Sequence, residues 1–379
     1  MELRDTEEEA EFRARLRAWI AEHLPKELVG LGTRTSHVEL LRQWSRELSD
    51  AGYVGLSWPR EYGGGGGRHA LEGVVLEELA RADAPQHLGT IGLGMAGPTI
   101  MAHGTPDQKA AHLRPILQAE EIWCQGFSEP GAGSDLASVR TRAERRGDLF
   151  FVNGQKVWSS YAHLADWCIL VTLSDPAAPR YRGLTYLLVD MHSPGVEVRP
   201  LRQMTGDADF NEIFFTDVEV PVTNVVGEIG GGWQVAMTTL LHERATLGFA
   251  LTGFLDSGIR RLLALARTHP DAAQPWLAQI ANEWIQLQAL KLTAHRSLGQ
   301  LDRTGMPGPE GSVIKLAWSE SSQRTTKLAR QLLGQEAVLD DGFWNYQQLR
   351  SRANTIEAGT SEILRNIVAE RVLQLPRSR

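Results

Sequence analysis

Four short segments carry residue types that can do chemistry. The first is Phe127-Ser128-Glu129-Pro130-Gly131-Ala132-Gly133-Ser134-Asp135, which follows a predicted strand over 122–127. Glycines at 131 and 133 let backbone N–H groups approach a ligand without a Cβ in the way, and Ser128 and Ser134 add hydroxyls. It lacks the Gly-Lys-Ser/Thr end of a Walker loop, and a tight loop between strands is the plain alternative. In the second, Lys156-Val157-Trp158-Ser159-Ser160, a tryptophan stands beside two hydroxyls. The indole can lie on a flat ring system while the hydroxyls bond its heteroatoms, or it can fill a core. The third is Leu241-His242-Glu243-Arg244-Ala245, in a helical stretch. Glu243 and Arg244 read as a structural ion pair or, if Glu243 faces a dry pocket, as a general base with a raised pKa. The fourth, Ile356-Glu357-Ala358-Gly359-Thr360-Ser361-Glu362-Ile363, places a glycine and a Thr-Ser pair before an amphipathic run. That is a helix N-terminus, whose free N–H groups can bind a carbonyl oxygen or a cofactor edge. The histidines show no metal-ligand spacing and only Cys124 and Cys168 occur, so no metal site is assigned.

The elements that must position these segments change character twice along the chain. Over residues 5–120 the hydrophobic period is helical: Phe12, Leu16, Trp19 and Ile20 form one stripe, Leu40, Leu41, Trp44 and Leu48 a second, Leu71, Val74, Val75 and Leu79 a third. Gly63 to Gly67 form a loop, and Thr105-Pro106-Asp107-Gln108 predicts a capped helix start. From 121 to 225 short β-branched and aromatic runs predict strands at 150–152, 167–173, 184–189 and 213–222. Asn153-Gly154 suits a type I′ turn and Ser193-Pro194-Gly195 another, which suggests a small antiparallel barrel or sandwich. After residue 230 long helices return over 233–267, 276–303 and 312–333, with a last one after Ser361, as in a helical bundle. The fold class is α+β, with an N-terminal helical domain (1–120), a middle β domain (121–228) and a C-terminal helical bundle (229–379).

The chain has 379 residues, with 39 Lys+Arg against 46 Asp+Glu and a net charge of −7. That balance argues against nucleic acid or an anionic membrane as partner, and no apolar run reaches the ~20 residues of a membrane span. The acidic, polar start is unlike a targeting peptide, so a cytoplasmic location is expected.

Together, in this order, the segments resemble the acyl-CoA dehydrogenase family over essentially the whole chain. Residues 128–135, Trp158 to Ser160 and Gly359-Thr360-Ser361 match its flavin and thioester contact segments, and Arg365 to Arg371 resembles its last helix. The resemblance implies FAD as cofactor and removal of two hydrogens from the α and β carbons of an acyl-CoA. It implies that Trp158 flanks the flavin, that Ser160 stands where a hydroxyl bonds it near N5, and that Ser159 is a further cofactor contact. Phe127, Ser128 and Ser134 would line the flavin and CoA, with Thr360 and Glu362 at the helix start. The Ala358 N–H would hold the thioester oxygen, where charge builds as the α proton leaves. In many relatives the catalytic glutamate directly precedes Gly-Thr-Ser; here that residue is Ala358, and Glu357 lies one position earlier. A minority carries the base on the first helix after the β domain, followed by arginine, which Glu243 and Arg244 match.

A second departure concerns the segments that hold the FAD diphosphate in homotetrameric relatives, an Arg-x-x-Phe-Gly run and a Gly-Gly-x-Gly turn. The corresponding stretches read Arg267 to Pro275 and Gly334-Gln335-Glu336-Ala337. The resemblance therefore implies a homologous second subunit in an α2β2 assembly, as in actinobacterial enzymes acting on sterol side-chain CoA thioesters, with an electron-transfer flavoprotein as electron acceptor. Competing readings are a non-catalytic subunit that completes a partner's FAD site, an oxidase of the same fold, and a CoA-ester binding module. Glycines at 89, 92, 94 and 97 either leave room for a bulky acyl group or serve close helix packing.

Overall fold

The computed structural model describes residues 5–30, 37–67, 69–304, 308–339 and 342–376, except for the side chains of 243–247 and 302. Five helices come first: α1 (Glu7–His23), α2 (Val38–Asp50), α3 (His69–Arg81), α4 (Gly97–His103) and α5 (Pro106–Leu117). Seven strands follow: β1 (Trp123–Gly126), β2 (Arg142–Arg146), β3 (Leu149–Ser160), β4 (Trp167–Leu173), β5 (Leu184–Asp190), β6 (Val196–Leu201) and β7 (Phe210–Pro221). The chain then returns to helix: α6 (Gly232–Thr268), α7 (Pro270–Ala273), α8 (Leu277–Thr304), α9 (Glu310–Leu333), α10 (Glu336–Leu339), α11 (Phe343–Arg350) and α12 (Ser361–Ile367). None of the described helices is long and apolar enough to cross a membrane.

Two compact units form, one from residues 33–67 and 86–243, the other from 1–32, 68–85 and 244–379. In the first, the strands make one sheet in the order β1-β4-β2-β3-β7-β6, with β5 paired to β4. Pairing is antiparallel except for β1 and β2 against β4, which are parallel, so the purely antiparallel expectation is corrected there. β4 and β5 are buried on both faces and read as continuous apolar runs, whereas β6 alternates half-buried and exposed positions. One core joins Met95, Ile100, Leu113, Ile116, Trp123, Phe127 and Tyr186; another fills the sheet with Phe150, Val152, Leu170, Leu187 and Ile213.

The expected turn at Asn153-Gly154 does not form. β3 runs straight through it with a bulge, and a Cβ on Gly154 would lie 2.5 Å from Thr141 Oγ1. The glycine is there for close strand approach. The reversal lies instead at Gly147-Asp148, where Gly147 takes φ 64° between paired Arg146 and Leu149. The capping box expected at the start of α5 is present: Thr105 Oγ1 accepts from Gln108 N at 3.2 Å, and Thr105 N donates back to Gln108 Oε1 at 3.1 Å. The five-glycine loop is tied down, with the N–H groups of Gly64 to Gly67 donating to carbonyls of residues 55–59.

The glycines near 89–97 resolve toward packing. A Cβ on Gly97 would sit 2.1 Å from Trp58 Cη2, and one on Gly92 would sit 3.0 Å from Ile116. Residues 92–96 make a π-helical turn, and α4 continues from it.

In the second unit, α6, α8 and α9 pack through Leu255, Ile259, Leu287, Leu290, Ile314 and Trp318. From α9, buried Lys315 donates to the carbonyls of Asn354 (2.7 Å) and Gly359 (2.8 Å), and Ser319 adds a 2.7 Å bond to Asn354 O. These bonds fix the turn that leads into α12.

Candidate functional site

Phe127, Ser128, Ser134, Trp158, Ser159 and Ser160 all fall in the first unit, and hydrogen bonds from Lys156 and Val157 tie residues 127–129 to the strand that carries Trp158. β1 ends at Gly126, Phe127 enters the core, and the chain reverses at Pro130-Gly131 through paired Glu129–Ala132 hydrogen bonds of 2.9 and 3.0 Å. An added Cβ at Gly131 or Gly133 would meet no protein atom, so packing does not require glycine at either position. A cleft of about 300 Å³ opens beside this reversal, lined by Glu129, Gly131, Arg140 and Gln155. The Val157 N–H donates to Ser128 O at 2.9 Å, which draws the loop against β3.

The segment 156–160 closes β3, whose pairing with β7 runs from Leu149 to Ser160. A register shift between Lys156 and Ser159 makes a bulge, and within it Trp158 takes φ 62° with 62% of its surface exposed. A large aromatic in a left-handed backbone, with its ring in the open, is costly in strain and in exposed apolar surface. Among the described residues its ring contact is edge-on to Phe210, at 6.3 Å between centroids. Next to it, Ser159 Oγ is buried without a hydrogen-bond partner among the described residues, a state that costs about 1–3 kcal/mol unless something complements it. An open ring face, an orphaned hydroxyl and a loop whose glycines face space fit a flat heteroaromatic ligand such as a flavin.

Two features of this unit were not legible as site residues. Fully buried Lys156 donates to Phe127 O and Glu129 Oε1. Beneath Phe127, whose ring meets Tyr186 edge-on at 5.9 Å, the Tyr186 and Thr99 hydroxyls bond Thr239 Oγ1 at 3.1 and 2.8 Å. Thr239 lies one helical turn ahead of Glu243 in α6. Hydroxyls inside apolar stretches give no pattern of their own in sequence.

Glu243 and Arg244 are in the α6 backbone, but their side chains lie outside the described residues. The other candidate carboxylate is engaged. Glu357 forms a two-pronged ion pair with Arg350, at 3.2 and 3.1 Å.

Ala358, Thr360 and Glu362 belong to the second unit. Ala358 (φ 50°) and Gly359 (φ 93°) are both left-handed, which turns the chain sharply into the α12 cap. Among the described residues the Ala358 N–H has no hydrogen-bond partner, so it is free to donate to a ligand oxygen. Thr360 Oγ1 accepts from Ile363 N at 3.3 Å as the N-cap, and its own proton goes to the Glu362 carboxyl. Glu362 is exposed in the first turn of α12; the N–H at its own position and the Thr360 hydroxyl hold its carboxyl below the usual range. Among the described residues no group of His, Cys, Asp and Glu could hold a metal ion.

Comparison with known proteins adds a second line of findings. Family models for the N-terminal, middle and C-terminal domains of acyl-CoA dehydrogenases match residues 6–120, 124–218 and 230–373. The chain is 41% identical to acyl-CoA dehydrogenase IpdE1 of Mycobacterium tuberculosis over 381 residues, covering 97% of this chain and 98% of that one. Among solved structures, the Tcur3481-Tcur3483 steroid ACAD matches with a TM-score of 0.89 at 30% identity, over 100% of both chains. The ChsE4-ChsE5 complex from Mycobacterium tuberculosis matches with a TM-score of 0.87 at 29% identity, again over 100% of both.

Proposed function

The chain belongs to the acyl-CoA dehydrogenase family of flavin-dependent oxidoreductases, and from that premise we propose that it converts a bulky acyl-CoA to its trans-2-enoyl-CoA as the catalytic subunit of a heteromeric enzyme. The observation that carries the reading is the bulge at Trp158: an open indole face beside a buried hydroxyl that no described residue satisfies.

In this reading Trp158 stacks on the flavin, Ser159 and Ser160 bond its polar edge, and Phe127, Ser128 and Ser134 line flavin and CoA. FAD, when bound, supplies the acceptor for the β hydride. Glu243 takes the α proton and Arg244 positions the pocket. The Ala358 N–H donates to the thioester oxygen and stabilises the charge that gathers there. Thr360 and Glu362 complete the helix start beside it. Glu357 is set aside as base because Arg350 already occupies both its oxygens. Domain boundaries near 120 and 228 go with these roles.

A homologous second chain is proposed to supply the diphosphate contacts. Here α6 ends at Arg267-Thr268 without the family's Phe-Gly, and exposed Glu336 stands where a glycine would approach a diphosphate. A carboxylate there repels that ligand. Two of the matching solved structures are themselves named as pairs of chains, one of them a steroid enzyme, which favours a sterol-derived acyl group and a heteromer. Electrons would leave through an electron-transfer flavoprotein.

Co-expression with a homologous partner chain, followed by FAD quantification and a screen of steroid and fatty acyl-CoA esters, tests this. The expected result is half as many FAD as chains in the complex, little FAD on the chain alone, and faster turnover of steroid esters. Full FAD occupancy in an assembly of this chain alone would contradict it.

A further inference from the structure

Lys156 lies in β3 two residues before Trp158 and is fully buried. Its Nζ donates to the Phe127 carbonyl at 3.1 Å and to Glu129 Oε1 at 2.8 Å, so one side chain grips the backbone on one side of Ser128 and the carboxylate on the other. Glu129 is itself buried and accepts from the N–H groups of Arg140 (2.7 Å) and Thr141 (2.9 Å). Burial raises the Glu129 carboxyl, but Lys156 and these N–H groups outweigh it and keep it below the usual range. Burial lowers Lys156 to about 8, still above neutral pH, so the pair is ionised there.

A buried ion pair is a poor source of stability, since apolar residues of similar volume often do as well or better. What it does supply is direction. The bulge needs direction: Trp158 is left-handed at φ 62°, a backbone state that persists only where its neighbours over-determine it. On the far side of the bulge, Asn211 Nδ2 donates to Ser159 O at 3.0 Å and Tyr161 N donates to Asp209 O at 2.8 Å. On the near side, Val157 N donates to Ser128 O, and the Lys156 ammonium ties that same loop down.

We propose that Lys156 is a positioning residue: with Glu129 as counter-ion it locks residues 127–129 to the β3 bulge and fixes Trp158 in one orientation, the one that meets the flavin. Only the last clause rests on the function proposed above.

The test is the double variant Lys156→Met with Glu129→Gln in the full chain, which removes both charges together and leaves no lone buried charge. Tryptophan is replaced by 5-fluorotryptophan, and the Trp158 fluorine line is assigned with Trp158→Phe; buried Trp44 in α2 serves as reference. The expected result is a Trp158 line that splits or broadens while the Trp44 line and Tm hold, with FAD affinity at least tenfold weaker. An unchanged Trp158 line overturns the proposal, whatever the flavin does. So does a Trp44 line that moves along with it, which would make the pair a general stabiliser. If the unaltered chain takes up no FAD even with a partner, the flavin reading fails while the fluorine lines still decide the positioning.

Discussion

Trp158→Gly separates what the chain keeps for folding from what it keeps for a ligand. With 62% of the residue exposed, roughly a third of an indole of about 200 Å² is covered by protein, so the lost burial amounts to about 2 kcal/mol. Losing the edge contact to Phe210 adds about 1 kcal/mol. Against this, glycine relieves a left-handed backbone at φ 62°, worth about 1–2 kcal/mol. The net cost is about 1–2 kcal/mol, well short of the roughly 3–5 kcal/mol expected when a buried tryptophan is truncated. Flavin affinity falls further. Covering the exposed two-thirds, about 120 Å², would contribute about 3 kcal/mol, which is about a hundredfold in Kd. Urea unfolding of the flavin-free chain and fluorescence titration with FAD read the two quantities. Loss of more than about 4 kcal/mol of stability, or unaltered FAD affinity, would refute the assignment of the indole to a ligand.

Two further outcomes follow from the packing around Gly97 and His87. Gly97→Ala drives a Cβ to 2.1 Å from the ring of buried Trp58, so it should cost about 1–3 kcal/mol in thermal unfolding and leave the ranking of acyl-CoA substrates as it was. A changed ranking with an unchanged Tm would return this glycine to the acyl pocket. Burial lowers the pKa of His87 from 6.5 to about 4. The folded state therefore holds the ring neutral, and its stability is complete above pH 6.5 and lost as pH falls toward 4, by about 3 kcal/mol in all. Urea midpoints across that window should fall less steeply in His87→Gln; parallel slopes in the two proteins would contradict this.

The long helices and the doubly buried strands were legible because burial imposes a period: α6, α8 and α9 lie where their stripes predict, and β4 coincides with the apolar run 167–173. β2, Arg142-Ala143-Glu144-Arg145-Arg146, was not, since only Ala143 is buried and four charged residues face outward. β6 escaped for the same reason. Asn153-Gly154 misled because its dipeptide signature is local, whereas Thr141, thirteen residues before Gly154, decides the conformation by its closeness. In the candidate site, segments 127–135 and 156–160 were visible as combinations of residue types. The Lys156–Glu129 and Lys315 anchors were not, because a lysine in a strand or helix reads as solvated until its carbonyl and carboxylate partners come together in space.

The central claim is that Glu243 is the base and Glu357 is not. Anaerobic mixing of the flavin-loaded complex with its acyl-CoA, followed by loss of oxidised-flavin absorbance, tests it in Glu243→Gln and Glu357→Gln. Glu243→Gln should slow flavin reduction by about 10²–10⁴-fold with FAD still bound. Glu357→Gln should reduce at close to the unaltered rate, losing only a partly exposed ion pair worth about 1 kcal/mol or less. Abolished reduction in Glu357→Gln alongside unimpaired reduction in Glu243→Gln would contradict the account.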